Sequence, residues 1–440
     1  ARDPIGMVLM AKPGWVSHDG QPMFSVDVHP DGTRFATAGQ DGTVKIWALA
    51  PVLEKASEQD ESVPRLLATL SGHEGAVNCA RWSPDGRLLA SGSDDSMVML
   101  WRLAGAGERL GAVPFGGKAA TQHEKWRSAA SLRGHSGDVV GVAWAPDSQR
   151  LASVSIDNSV RVWDVSADAA RQLVAVLQGH RSMVKGVSWD PIGRYLASQG
   201  DDRAVVVWEQ RDWTEAARIE APFQRSTAKT LFRRLAWSPD GQFLCCPHAF
   251  KKPVNIAVVL RRPGGQPGDD GWAQECDFVG HNSPVGVVAF NQLIFRRGGG
   301  GGAATGGGTG TAAVASGGSD DAPSAPYCCC AVGGQDCLLS IWLTSRPKPL
   351  VVVKDIFEQD VLDLAWTPDG YTLLACSMDG TLATMKLEEA ELGAPLPAQE
   401  RQAMLRNMYG DLSSGASTLL ESPALASLEA ASAASSVAAS

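Results

Sequence analysis

The chain has 440 residues, 44% of them hydrophobic, and a formal net charge of −9. That acidity excludes a surface that is basic throughout, as a general nucleic-acid footprint would be. No apolar run reaches the about 18 residues that a bilayer span takes, so no membrane helix is predicted.

The N-terminus has no signal-peptide layout and does not begin with Met, so either a fragment or a sequence that begins just upstream of the true start, at Met7 or Met10, is expected. Nine cysteines are present, with no Cys-x-x-Cys pair. Cys328, Cys329 and Cys330 alternate faces on a strand, so they cannot share one metal. Buried, reduced thiols are predicted, and an odd count fits a reducing compartment.

One spacing repeats. His73, His135 and His180 are each followed 28 residues later by a Trp, at Trp101, Trp163 and Trp208. An Asp stands six residues before each Trp, at Asp95, Asp157 and Asp202. A unit this short cannot bury its own apolar face and must stack on copies of itself. The frame is the blade signature of a WD-repeat β-propeller, in which each blade is a four-stranded antiparallel sheet. The predicted fold class is all-β, a seven-bladed WD-repeat β-propeller with a disordered C-terminal tail. The propeller is placed at 7–390, a short helical extension at 391–411, and the Ala/Ser-rich tail at 412–440.

Residues 7–11 are apolar and precede the first blade. They are expected to close the ring as the outer strand of the last one. Blade one runs over 18–49, with Phe24-Ser-Val26-Asp-Val28 alternating as a strand and His29-Pro-Asp-Gly32 as its turn. Asp41 and Trp47 keep the six-residue offset. Residues 51–65 carry Glu54, Glu58, Asp60 and Glu61 and read as an exposed acidic loop. Blade two ends at Trp101. A flexible Gly/Ala-rich insertion follows at about 105–121, and the stretch around Trp126 is expected as the outer strand of blade three.

Blade five is degenerate: Trp237-Ser-Pro-Asp-Gly241 and a strand over 254–260 are present, but Gly-His, the turn Asp and the terminal Trp are missing. In blade six His281 and Trp342 are 61 residues apart, and a Gly-rich flexible insertion at about 298–325 accounts for the excess. Blade seven spans about 351–387, with Met385 where the Trp belongs, and a helix is expected over 398–408.

Each blade carries polar side chains inside a sheet, where buried polar groups must find partners. The predicted structural tetrads are His73, Ser91, Asp95 and Trp101; His135, Ser153, Asp157 and Trp163; and His180, Ser198, Asp202 and Trp208. The chain of contacts is expected to run from Asp to His to Ser to the indole N–H. A nucleophilic triad is a single constellation, whereas these residues recur blade after blade, so no catalytic, cofactor or metal site is predicted. Trp126, Arg225, Arg233 and Arg234 are the candidate partner-binding residues. The arginines belong to a basic cluster that also reads as a solvated face.

Several stretches outside the blade frame are more specific. They are Lys12-Pro-Gly-Trp15-Val-Ser-His18, Val184-Lys-Gly-Val-Ser-Trp189-Asp-Pro-Ile-Gly-Arg-Tyr195, Pro326-Tyr-Cys-Cys-Cys-Ala-Val332, Leu339-Ser-Ile-Trp342-Leu-Thr-Ser-Arg-Pro and Cys376-Ser-Met-Asp-Gly380. Over about 10–397 the chain closely resembles the N-terminal propeller of the HIRA family of histone chaperones.

The resemblance implies a nuclear, non-enzymatic scaffold for replication-independent deposition of histones H3–H4, with repression of transcription including that of histone genes. It implies a ubinuclein-type subunit on the propeller, a histone chaperone complex carrying H3–H4, and chromatin as partners. It implies no membrane and no small-molecule substrate. After Tyr409 neither the family's basic motif for the histone-carrying chaperone nor its C-terminal domain is read in this sequence, and either a truncated or a divergent form is expected. Phe232-Arg-Arg-Leu-Ala236 also has a likeness to the propeller subunit of the replication-coupled chromatin assembly factor. A generic WD-repeat adaptor is the third reading.

Overall fold

Residues 9–105, 123–166, 172–226, 229–263, 271–297 and 325–410 are described by the computed structural model. Short β-rich runs alternate with Pro-Asp-Gly turns, so each repeat folds up and down into an antiparallel sheet. Among the described residues seven sheets result. The first strands of successive sheets pack side by side around a central channel: Met23–Val28, Val77–Trp82, Val139–Trp144, Val184–Trp189, Ala236–Trp237, Val285–Arg296 and Val361–Trp366. The last of these packs against the first, which closes the circle into a seven-bladed propeller.

The ends of the chain meet in blade seven. Leu9–Ala11 pairs antiparallel with Leu382–Lys386, Met10 opposite Met385, so the final sheet takes its outer strand from the N-terminus. A ring closed in this way leaves no open inner edge.

The sheets are offset by one strand from the sequence repeat. Trp126–Arg133 pairs with Met97–Leu103 and is the outer strand of blade two, not three. Val351–Val353 likewise completes blade six, so blade seven does not begin at 351. The repeat runs from outer strand to third strand, whereas hydrogen bonding joins the outer strand to the preceding three. Residues 51–65 are also not simply an exposed loop. They hold helices α1 (Ala50–Leu53) and α2 (Lys55–Gln59), which bury Pro51 and Val52, and Trp15 donates its indole N–H to Glu58 at 2.9 Å.

After blade seven come α3 (Glu389–Leu392), a two-residue strand Ala394–Pro395 added to sheet six beside Phe295 and Arg296, and α4 (Ala398–Tyr409). Leu392, Leu405 and Tyr409 are buried. Helix α4 lies at the channel end that carries the Pro-Asp-Gly turns, and its Arg401 and Leu405 line the channel. A Cβ on Gly241, a turn glycine at φ 72°, would collide with the Tyr409 ring. Residues 106–122, 298–324 and 411–440, which hold nearly all of the two expected insertions and the expected tail, lie outside the described residues.

All nine cysteines are free. Cys328 and Cys330 pack into one core cluster and Cys329 into another, on opposite faces of their strand. Among the described residues no helix is long and apolar enough to cross a membrane.

Candidate functional site: blade tetrads and the channel

The predicted tetrads come together as four-membered chains. In blade two, His73 Nδ1 lies 2.7 Å from Asp95 and Nε2 lies 2.8 Å from Ser91 Oγ, which also accepts the Trp101 indole N–H at 2.8 Å. Blade three repeats this with His135, Asp157, Ser153 and Trp163 at 2.9, 2.8 and 2.8 Å. Blade four repeats it with His180, Asp202, Ser198 and Trp208 at 3.0, 2.8 and 2.9 Å.

Because Ser Oγ accepts from Trp, its own proton serves His Nε2, and His Nδ1–H donates to the carboxylate. A neutral imidazole satisfies every partner. Burial pushes His73 and His135 below the usual imidazole value, against the pull of Asp95 and Asp157. Each Asp also accepts the backbone N–H of the residue after its His, for example Ser136 on Asp157 at 3.0 Å, so one carboxylate ties two loops together.

Two further tetrads escape the 28-residue frame. In blade one His18 meets Asp41 and Thr37 at 2.8 Å each, and Trp47 donates to Thr37. His18 stands one residue further from its Trp than the frame allows. In blade six His281 meets Asp336 at 2.9 Å and Ser340 at 3.1 Å. Ser340 is on the third strand, directly across from Val332, which occupies the position of the serine in the other blades.

Blade seven has replaced three members at once. Phe357, Ala375 and Met385 stand at the His, Ser and Trp positions and are buried together in an apolar cluster. Asp379 remains and accepts the N–H groups of Glu358 and Thr381. Exchanging all partners together leaves nothing unsatisfied.

The Ser–His–Asp distances are those of a hydrolase triad, but Ser91, Ser153 and Ser198 are fully buried and already accept an indole N–H. A nucleophile needs an open approach to substrate.

The second constellation lies in the channel, a cavity of about 730 Å³. Asp363 of blade seven takes a bidentate contact from Arg81 of blade two at 2.7 and 2.9 Å. Arg234 of blade five reaches the same carboxylate at 2.9 Å and donates to the carbonyls of Phe24 and Asn78. Ser25 and the N–H of Val26, in blade one, complete the shell at 2.8 and 3.0 Å. Burial disfavours the Asp363 charge, but the two guanidiniums prevail and hold its carboxyl below the usual range.

Arg233 and Arg234 are therefore not part of a solvated basic face. Both are buried, and Arg233 pairs with Asp201 at 2.7 Å. Their segment is drawn inward between its neighbours. Arg233 N–H bonds Lys185 of blade four, and Arg234 N–H bonds Gly286 of blade six, each at 3.0 Å. Gly186 makes room, since a Cβ there would overlap the Arg233 carbonyl. Arg225 is exposed. Trp126 is half-buried, edge-on to Trp82 at 5.4 Å, with its N–H on Glu124.

Ser25, Arg81 and Asp363 carry no repeat signal. Aligning the inner strands shows it: Ser25, Arg234 and Asp363 share the position where the other blades have Cys79, Gly141, Gly186 and Val287.

Residues 9–260 match the CAF1B/HIR1 beta-propeller domain, and 352–383 match the WD domain, G-beta repeat. The chain belongs to the CAF1B/HIR1 β-propeller family. Curated relatives named Protein HIRA are similar along most of it. The rice protein is 45% identical over 97% of this chain and 42% of its own length, and the human protein is 44% identical over 91% and 37%. A Drosophila melanogaster protein named Protein HIRA homolog is 44% identical over 91% of this chain and 36% of its own length. The chain thus spans about two fifths of the length of the relatives it matches, and the region matched to the CAF1B/HIR1 family includes Arg81, Arg234 and all the tetrads of blades one to four.

Proposed function

We propose that this chain is a nuclear chromatin-assembly scaffold of the HIRA type. It takes part in replication-independent deposition of histones H3–H4 and in repression of transcription, including that of histone genes. The observation that carries the reading is similarity to proteins named HIRA over 97% of the chain.

Its mechanism is binding rather than chemistry. The tetrads pin the loops of each blade, and the Arg81–Asp363–Arg234 cluster locks blades two, five and seven across the axis, which presents a rigid rim to partners. The partners are a ubinuclein-type subunit on the propeller and, through the complex, the chaperone that carries H3–H4.

Affinity purification of the chain from nuclear extract with mass spectrometry tests this. A ubinuclein-type subunit should be recovered. One observation favours a second reading as propeller subunit of the replication-coupled factor: the matched family description names CAF1B beside HIR1. Recovery of replication-coupled subunits in place of the ubinuclein type would move the chain there.

A further inference from the structure

The two ends of the channel differ. One is covered by α4, whose Arg401 and Leu405 line the cavity. The other carries the loops that enter the inner strands, and on blades four and five those loops form an unusual patch. Met183 and Leu231 are exposed there at 42% and 46%. Their segments meet just beyond them: Arg233 N–H bonds the Lys185 carbonyl, and Met183 and Leu231 each lie two positions earlier. Lys185 Nζ also reaches the Thr230 carbonyl at 2.7 Å.

The loops of this sector also carry Arg181, Arg203, Arg225 and Lys229, all exposed. Arg203 donates to the Gln224 carbonyl at 3.0 Å, which joins the loop of Arg225 to the patch. The side chains of Arg181, Arg225 and Lys229 have no acidic partner among the described residues. Of the acids on these loops, Asp201 pairs with Lys185 and Arg233 and Asp202 with His180, while Glu220 is exposed within electrostatic reach of Arg218. Of the other carboxylates on this face, Asp94, which accepts from Asn78, and Asp138 are on blades two and three, and Asp360, which accepts from the Gln335 amide that also bonds the Lys229 carbonyl, precedes the inner strand of blade seven. A chain of net charge −9 thus places four exposed cations, none in an ion pair among the described residues, beside two exposed apolar side chains.

We infer that the blade four–five sector of the open channel mouth is a docking site for an acidic linear segment of a partner protein that seats a bulky apolar side chain on Met183 and Leu231. The cations steer and align the segment, and the apolar contact supplies the desolvated centre. This deepens the scaffold reading by naming the chemistry of one partner, and its test uses purified components only. Failure here therefore leaves the nuclear-extract result standing, and the reverse also holds.

The probe is a fluorescein-labelled peptide of about eight residues alternating Glu with Leu, which spans roughly 27 Å extended. Anisotropy with the full chain should show saturable binding that weakens with added salt. The Lys-for-Glu peptide and a Glu/Gly peptide should bind at least about tenfold more weakly. Arg181→Glu with Lys229→Glu, and separately Leu231→Asp, should each weaken the Glu/Leu peptide at least about tenfold with an unchanged melting temperature. The inference is overturned if the wild type does not bind, if these variants bind as the wild type does, or if single-stranded DNA binds the same residues in place of the peptide.

Discussion

Arg81 and Asp363, 282 residues apart in sequence, meet in a two-point ion pair at 2.7 and 2.9 Å, and Arg234 completes it. The pair acts as a cross-brace over the axis of the ring. Asp363→Ala leaves two guanidiniums near the axis without the carboxylate they share and should cost about 3–5 kcal/mol. Arg87→Ala, which removes an exposed contact to Asp85 at 3.7 Å, should stay within about 0.5 kcal/mol. Urea unfolding of the two variants checks this, and equal losses would contradict the brace.

Blade six offers an internal rescue. Ser340→Ala removes the hydroxyl that links His281 to Trp342 and should cost about 1–3 kcal/mol. Val332→Ser in that background returns a hydroxyl at the position used by the other blades, opposite residue 340. Part of the lost stability should come back in thermal melts; a further loss would show that the serine's place on the third strand is not interchangeable.

Gly186 is fixed by the inward path of blade five. Its added Cβ would lie 1.7 Å from the Arg233 carbonyl oxygen, so Gly186→Ala must push the two blades apart. A loss of about 3 kcal/mol or more is expected. Gly14→Ala, where the added methyl meets nothing within 4 Å, should be near neutral.

Asp27 gives a pH signature. Burial pushes its carboxyl up to about 6, with the neighbouring Asp363 adding to this and Arg81 and the N–H groups of Trp82 and Val28 opposing it. Between the ordinary value of 3.8 and about 6 the folded chain keeps a proton that the unfolded chain has lost, so this site's stability falls as pH rises through that window. Asp157 has the opposite sign. Burial disfavours its charge, but Ser159, His135 and the Ser136 N–H outweigh that and hold it at about 2, so its contribution is lost as pH falls from 3.8 toward 2. Asp27→Asn keeps an acceptor for Trp82 N–H and should gain roughly 1–2 kcal/mol at about pH 8 relative to about pH 4, with channel water screening the rest. A pH-independent difference between variant and wild type would refute the assignment.

The blade frame was legible because His, Asp and Trp keep fixed spacing on one short unit, which local folding conserves within each blade. The same logic misplaced Trp126–Arg133 and Val351–Val353 by one sheet, because the repeat does not begin where hydrogen bonding does. The basic run at Arg233 and Arg234 read as solvated, since charges in sequence usually are. What buries them is a carboxylate from blade seven and an opening left by Gly186, neither of which is local. Ser340 escaped for a similar reason: its bonding partner lies 59 residues away across an insertion.

The most direct test of the scaffold reading is size-exclusion chromatography of the purified chain with a purified ubinuclein-type subunit, each at about 10 μM, a concentration at which even micromolar complexes form. Co-elution as one stoichiometric complex, retained when the tetrads and the channel brace are intact, is the predicted result. Separate elution of two folded proteins would contradict it.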